Sequence, residues 1–130
     1  MIILGINTST EITELYLIND NHIIDETKWN SGRDLAKDLL SKIKLLLEKN
    51  NLSYEQVDAY IGYLGPGSFT GLRIGISAIN SLAYTNNKPI VGSAGDEWIN
   101  KALDRLLLNQ DDKVLVPEYG SEANITLPKK

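Results

Sequence analysis

A glycine-rich segment between a predicted strand and a predicted helix is the first candidate for chemistry. It reads GYLGPGSFTGLRIG, from Gly62 to Gly75. Backbone N–H groups at a helix N-terminus can bind phosphate, so the position suits a nucleotide. The P-loop pattern needs Lys after its last glycine, however, and Gly71 is followed by Leu and Arg. The dinucleotide fingerprint fails because its sixth position is Thr70. A rigid turn with Ser68 or Thr70 capping the helix explains the segment better.

Other side chains capable of catalysis are few. Asp34 and Asp38 lie one helical turn apart and could act as an acid–base pair. Lysines interleave with them, however, and a solvated face with i,i+4 ion pairs is the stronger interpretation. The one histidine, His22, stands alone in a predicted strand, where a structural role is commoner than metal binding. We therefore predict no catalytic set and no metal site in this chain.

Small residues recur on one face of the helix that follows the glycine segment. Gly71 and Gly75 are separated by one helical turn, and Ala78 and Leu82 continue their face. Such a face allows another backbone to come close. The close neighbour is either the chain's own sheet or a helix of another protein. Spacing alone favours the chain's own sheet, because internal packing is the commoner use of small residues.

The composition excludes several classes of protein. The chain has 130 residues, a common size for one domain, and no cysteine, which excludes disulfides and thiolate metal sites. Its 13 basic and 17 acidic side chains give a net charge of −4, which disfavours binding to nucleic acid alone. No apolar run approaches the roughly 20 residues that span a bilayer, and no basic region precedes the N-terminal apolar segment. We therefore expect a cytoplasmic protein without membrane contact.

The elements that position these residues follow from hydrophobic periodicity. Apolar runs bounded by turn residues predict strands at Ile2–Asn7, Ile12–Ile18, His22–Trp29, Val57–Leu64 and Lys88–Gly92, with a further candidate at Lys113–Val116. Apolar residues at helical spacing predict helices from Arg33 to about Asn50, Leu72 to Ala83 and Ser93 to Leu108. In the first helix, Leu40 and Leu47 widen the apolar stripe. The order βββαβαβα predicts an α/β fold with a mixed five-stranded sheet, an antiparallel hairpin and parallel crossovers.

Together these segments resemble one known family. Leu64–Gly75 closely resembles the signature of the TsaB (YeaZ) family of tRNA threonylcarbamoyladenosine biosynthesis proteins. Ile3–Thr10 resembles the opening strand and turn of that family, and Lys88–Leu103 resembles the strand and helix after the signature. The resemblance implies an ASKHA (actin/Hsp70-like, RNase H-like) lobe. We expect this lobe at residues 1–108, followed by a short C-terminal tail at 109–130, with the family's usual second lobe missing.

The resemblance also implies a role and partners. It implies a non-catalytic subunit that pairs with a TsaD-type catalytic subunit, with a TsaE-type ATPase in the full complex and tRNA reached only through that complex. ATP and metal are expected in the partner subunits and no cofactor in this chain. Pairing in the family uses the first two helices, here Arg33–Asn50 and Phe69–Tyr84. The predicted contact residues are Leu35, Leu39, Gly71, Leu72, Gly75, Ile76, Ile79 and Leu82.

One departure from the family pattern bears on nucleotide binding. Asn7 stands where family members usually have Asp, and an amide brings no charge to a magnesium ion. Thr8, Ser9 and Thr10 could still donate hydrogen bonds to phosphate. Two alternatives therefore stay open beside the accessory subunit. One is a small ATP-binding enzyme of the ASKHA superfamily, and the other is a scaffold protein that pairs with itself as a homodimer.

Overall fold

The computed structural model describes residues 1–118 as one mixed sheet with helices on both faces. The strands are β1 (Ile2–Asn7), β2 (Ile12–Asn19), β3 (His22–Asn30), β4 (Ala59–Tyr63) and β5 (Ile90–Ser93). The helices are α1 (Leu35–Lys49), α2 (Phe69–Asn86) and α3 (Trp98–Leu107), with short 3₁₀ turns at Gly32–Asp34 and Tyr54–Gln56. The strand order in the sheet is β3-β2-β1-β4-β5. The predicted five-stranded α/β lobe with βββαβαβα order is confirmed.

The sheet combines a hairpin edge with parallel crossovers. β1, β2 and β3 pair antiparallel, and β1, β4 and β5 pair parallel. The turn between β2 and β3 has Asp20 and Asn21 at φ 51° and 67°. Both side chains tolerate this left-handed backbone, which is why the sequence at this point predicts a tight hairpin turn.

The core lies on both faces of the sheet because β1 and β2 are buried on both sides. Leu4, Ile6 and Leu15 pack with residues of α1 and α2 on one face. Ile3 and Ile18 pack with Trp98 and other residues of α3 on the opposite face. The helices therefore cover the two sides of one central hydrophobic layer, which is the usual arrangement of an α/β domain.

Element ends differ from the predicted ones where tight turns intervene. α3 begins at Trp98 rather than Ser93 because Gly95 has φ +83°, outside the helical range, and donates its N–H to the Gly65 carbonyl at 3.0 Å. α2 is longer than predicted at both ends. It begins at Phe69 and ends at Asn86, where the left-handed Asn87 stops it.

The segment after α3 packs against the lobe, and the strand predicted at Lys113–Val116 is wrong. The backbone N–H and carbonyl of Leu115 bond to the side-chain amide of Asn80, at 2.8 and 3.1 Å, and so do not join a strand ladder. Leu115 is buried, while Val114 and Val116 are exposed. The predicted tail thus divides into residues up to Glu118 that contact the lobe and residues 119–130, which lie outside the described part of the chain.

The outer edge of β5 is covered by polar groups from the same segment. Ile90 N–H donates to Asp111 Oδ1 at 3.1 Å, and the Ile90 carbonyl accepts from Asp112 N–H at 2.8 Å. Gly92 N–H donates to Asp112 Oδ2, and the Gly92 carbonyl accepts from Arg105. Arg105 also forms a bidentate ion pair with Asp112. The groups that a neighbouring strand would use are therefore already bonded.

Candidate functional site

The turn after β1 docks onto the N-terminus of α2. Ser68 is the N-cap of the helix, and its hydroxyl accepts from Gly71 N–H at 3.3 Å. Ser68 N–H donates to the Ser9 carbonyl at 2.8 Å, and the Thr8 hydroxyl donates to the Gly71 carbonyl at 2.7 Å. The glycine segment therefore ends in a capped helix that is tied to the β1–β2 turn, with Ser68 as the cap among the two predicted candidates.

Gly71 and Gly75 are required by this internal contact. A Cβ atom at Gly71 would lie 2.3 Å from the Thr8 carbonyl oxygen. At Gly75 it would lie 2.1 Å from Thr8 Oγ1 and 2.8 Å from Thr8 Cβ. Of the two interpretations left open by the sequence, packing within the chain itself accounts for both glycines, and the contact is with Thr8 in the turn after β1. A large residue such as leucine at Gly75 would therefore disturb the fold itself.

The residues predicted for possible phosphate contact are engaged within the chain. Thr8 is 2% exposed and Ser9 is 8% exposed. Ser9 N–H donates to Asn7 Oδ1 at 2.9 Å, which gives Asn7 a role in shaping the turn. Thr10 is exposed, and its hydroxyl donates to the Ile12 carbonyl at 3.1 Å. A phosphate at this turn would compete with these internal bonds.

The structure brings the predicted partner contacts together, but mostly in the core of this chain. Six of them are buried residues of α1 and α2, on the sides of these helices that cover the sheet: Leu35, Leu39, Leu72, Gly75, Ile76 and Ile79. Gly71 and Leu82 are partly exposed. Apolar side chains at these positions are oriented by the sheet they cover, because burial against the sheet is what keeps the two helices in place. Their contact with a partner stays a prediction.

A shallow apolar groove lies between α1 and α2, on the side that faces away from the sheet. Its volume is about 440 Å³, and its lining residues are Ala36, Leu39, Leu40, Thr70, Arg73, Ile74, Ser77 and Ala78. Leu40 is 52% exposed although it belongs to the apolar stripe of α1. Sequence reasoning missed the groove as a site; the available signal was Leu40, which extends that stripe beyond the width needed for the core.

Arginine is the charged residue of the groove. Arg73 lines it, and its guanidinium lies 5.3 Å from the centre of the Phe69 ring, which restricts the position of the charge. Arg33 and Glu11 line an adjoining opening near the N-cap of α2. Within residues 1–118 the ion pairs of the structure involve other groups than Arg33 and Arg73.

The perturbed titratable groups have structural causes. Burial raises the pKa of the Tyr60 hydroxyl to about 12. Burial also raises the pKa of Tyr16, with a further contribution from its hydrogen bond to Glu14. The hydrogen bond from Arg105 lowers the pKa of Asp112. In the described part of the chain no group of three or more His, Cys, Asp or Glu side chains is arranged to hold a metal ion, and no helix there is long and apolar enough to cross a membrane.

Comparison with known proteins adds a family match. Residues 29–94 match the family model for TsaD, described as tRNA N6-adenosine threonylcarbamoyltransferase. The matched range includes α1, β4, α2 and β5, and therefore both walls of the groove.

Individual relatives carry a related name. The tRNA threonylcarbamoyladenosine biosynthesis protein TsaB of Escherichia coli is 33% identical over 133 residues, which cover 95% of this chain and 57% of that protein. The Haemophilus influenzae protein of the same name is 34% identical over 92 residues, covering 68% of this chain and 37% of that protein. The structure of YeaZ from Pseudomonas aeruginosa superposes with a TM-score of 0.66 at 29% identity, over 72% of this chain and 43% of that one. The chain thus spans about half the length of these relatives or less.

Proposed function

This chain belongs to the family of tRNA threonylcarbamoyladenosine biosynthesis proteins that includes TsaD and TsaB (YeaZ), and from that membership we propose that it is an accessory, non-catalytic subunit. It pairs with a TsaD-type catalytic subunit. That partner transfers a threonylcarbamoyl group to the adenosine next to the anticodon. A TsaE-type ATPase joins the full complex, and this chain meets tRNA only as part of that complex.

The observation that carries the proposal is the apolar groove between α1 and α2. An exposed apolar depression rimmed by polar residues is typical of protein-binding surfaces. Leu40 and Ile74 lie on opposite walls, and Ala36 and Ala78 leave room between them for side chains of a partner helix. This surface is proposed in addition to the predicted contacts, with which it shares Leu39. It uses the outer faces of the same two helices.

The arrangement around β1 supports an accessory role rather than nucleotide chemistry. At the start of α2, the Ser9 carbonyl accepts a hydrogen bond from Ser68 N–H, and the Thr8 hydroxyl donates to the Gly71 carbonyl. Asn7 bonds to the backbone of the turn through its amide oxygen. A phosphate at this point would need the Ser68 N–H and the Thr8 hydroxyl as donors, and both already donate within the chain. The proposal therefore assigns ATP and metal to the partner subunits.

Co-expression with the TsaD-type protein of the same organism tests the proposal. We expect the two chains to elute as one complex in size-exclusion chromatography. Leu40→Asp should weaken the complex at least about tenfold, because it puts a charge into a desolvated apolar contact. Leu45→Asp is the matched control: Leu45 is a leucine of the same helix, 59% exposed against 52% for Leu40, and it does not line the groove.

The outcomes separate clearly. Loss of the complex with Leu40→Asp alone supports docking at the groove. Equal retention with both variants would place the partner elsewhere. No complex with the unaltered chain, or ATP turnover by this chain alone, would contradict the accessory role.

A further inference from the structure

Residues 111–118 run from the start of β5 to the end of β4 and are bound there in the manner of a peptide ligand. Asp112 N–H donates to the Ile90 carbonyl at 2.8 Å, and Glu118 N–H donates to the Leu64 carbonyl at 2.6 Å. Main-chain bonds of this kind also hold peptides from other chains on the edges of sheets. The contacts of the segment therefore do not depend on its belonging to the same chain.

A floor without side chains receives Leu115 in the middle of the segment. Gly62 and Gly92 are register partners on β4 and β5. Added Cβ atoms at these two glycines would lie 2.6 and 2.9 Å from the methyl carbons of Leu115. The Asn80 amide accepts from Leu115 N–H and donates to the Leu115 carbonyl at the same point. The two strands thus form a pocket for one leucine side chain, with an amide that bonds to its backbone.

An ionic contact adds a second requirement three residues before this leucine. The Arg105 guanidinium bonds to the Asp112 carboxylate through two of its nitrogen atoms. Val114 and Val116, by contrast, are 63% and 70% exposed. The site therefore selects an aspartate followed three residues later by a leucine. We name it the glycine groove, and its residues are Gly62, Gly92, Asn80 and Arg105.

The connection between the segment and α3 is short and turns sharply. α3 ends at Leu107, and Asn109 follows with a left-handed φ of 60°. Asparagine tolerates this conformation better than most residues, but the right-handed one is lower in energy for all of them except glycine. With Asn109 in a helical conformation, α3 would continue beyond its present end and carry the segment away from its own lobe.

We propose that the glycine groove also takes residues 111–118 from a second copy of the chain, so that two copies exchange these segments. Each copy then keeps the contacts that it makes alone, which is why exchange of an identical element is a low-cost route to a dimer. The glycine groove shares no residue with the lining of the groove between α1 and α2. This pairing is therefore separate from the proposed docking of a TsaD-type subunit.

A synthetic peptide with the sequence of residues 111–118 tests whether the glycine groove accepts the segment from another molecule. The receiving protein is the full chain with Leu115→Ala, which holds its own segment less tightly. We expect the peptide to raise the melting temperature of this protein saturably, because a ligand of the folded state stabilises it. The same peptide with Leu115→Ala should bind at least about tenfold more weakly, since it lacks the buried leucine side chain. Asp112→Asn in the full chain is a second receiver, which weakens the attachment without opening a cavity.

Sedimentation equilibrium of the full chain tests the exchange between copies. Each protein is held near its melting temperature, where the segment is released, and is then cooled. We expect a dimer in the unaltered chain and equally in Leu40→Asp, which disrupts pairing between α1 and α2. Leu115→Ala should form at least about tenfold less dimer, whereas Val114→Ala should match the unaltered chain. Asn109→Ala should form more dimer, because alanine disfavours the left-handed turn.

The outcomes either support the exchange or overturn it. Peptide binding that requires the leucine, together with a dimer that is lost only in Leu115→Ala, supports it. The inference is wrong if the peptide stabilises neither receiver, or if the dimer forms equally with Leu115→Ala. Peptide binding without any dimer also overturns it, since the segment of a second copy is then not an occupant of the glycine groove. Binding of a TsaD-type protein is measured independently, so the proposed function can fail or stand without affecting this result.

Discussion

Thr8 is the residue at which the first strand and the second helix meet. Its hydroxyl donates to the Gly71 carbonyl, and its side chain occupies the space that a Cβ atom at Gly75 would need. The two glycines therefore serve the contact with Thr8, and their spacing follows from the geometry of a helix passing over one side chain. Thr8 and Gly71 are 63 residues apart in the chain.

At this contact, packing and helix propensity oppose each other. Alanine is favoured over glycine inside a helix by about 1 kcal/mol. At Gly75, however, the new methyl group would lie 2.8 Å from Thr8 Cβ, a distance that no rotamer change of Thr8 relieves. We expect Gly75→Ala to lower the free energy of unfolding by about 1–3 kcal/mol, as overpacked cores do.

Chemical denaturation monitored by circular dichroism measures the effect. Ser81→Ala is the control, since Ser81 is exposed on the same helix and should show only a small change. A more stable Gly75→Ala protein would show that the helix moves away from Thr8 at little cost.

At the scale of elements, α3 and the segment after it hold the edge of the sheet. Arg105 in α3 and Asp112 beyond it bond to each other and to both polar groups of Gly92 in β5. The Arg105 and Asp112 side chains are 33% and 27% exposed, so solvent screens their ion pair in part. The contact joins a helix, a strand and an irregular segment through one pair of side chains.

The pH dependence of stability should report this contact. The hydrogen bond from Arg105 lowers the pKa of Asp112. A carboxyl group with a lowered folded pKa stabilises the fold above its unfolded pKa of about 4, and this stabilisation is lost as the pH falls through the lower folded value. Asp112→Asn should therefore lower stability by about 1–2 kcal/mol at neutral pH, and less below pH 4.

Thermal unfolding between pH 2 and pH 7 tests this expectation. Asp104→Asn, on the exposed side of α3, should reproduce the pH profile of the unaltered chain. A constant difference between Asp112→Asn and the unaltered protein at all pH values would assign the effect to lost hydrogen bonds instead of charge.

At the scale of the whole molecule, Leu115 closes the core beside β4 and β5. Its side chain occupies the space over Gly62 and Gly92, where added Cβ atoms would lie 2.6 and 2.9 Å from its methyl carbons. Leu115→Ala should lower the free energy of unfolding by about 2–4 kcal/mol, because it opens a cavity under α2. Val114→Ala is the control at a neighbouring position that is 63% exposed. Equal melting temperatures for the two variants would mean that the segment is not part of the folded lobe.

Sequence patterns predicted most of this architecture because each strand and helix carries its own periodicity. The hairpin turn at Asp20 and Asn21 and the amphipathic α1 required only local reasoning. Lys113–Val116 resembles a strand by composition, but Asn80 of α2 bonds to both polar groups of Leu115. Likewise, Gly71 and Gly75 face the chain itself because both pack against Thr8. These features depend on which residues from distant parts of the chain make contact, and the spacing of residues within one segment does not contain that information.

The bonded edge of β5 affects whether these molecules can associate at high concentration by pairing the edges of their sheets. A sheet grows into a fibre by adding strands wherever backbone groups are free, and each end of the sheet is a separate site of growth. At β5, the side chains of Asp111, Asp112 and Arg105 bond to the outward-facing backbone groups and so block the addition of a further strand. At the other edge strand, β3, an added strand would lie against the charged side chains of Asp25, Glu26 and Lys28. At both edges of the sheet, bonded or charged groups therefore oppose the addition of a further strand.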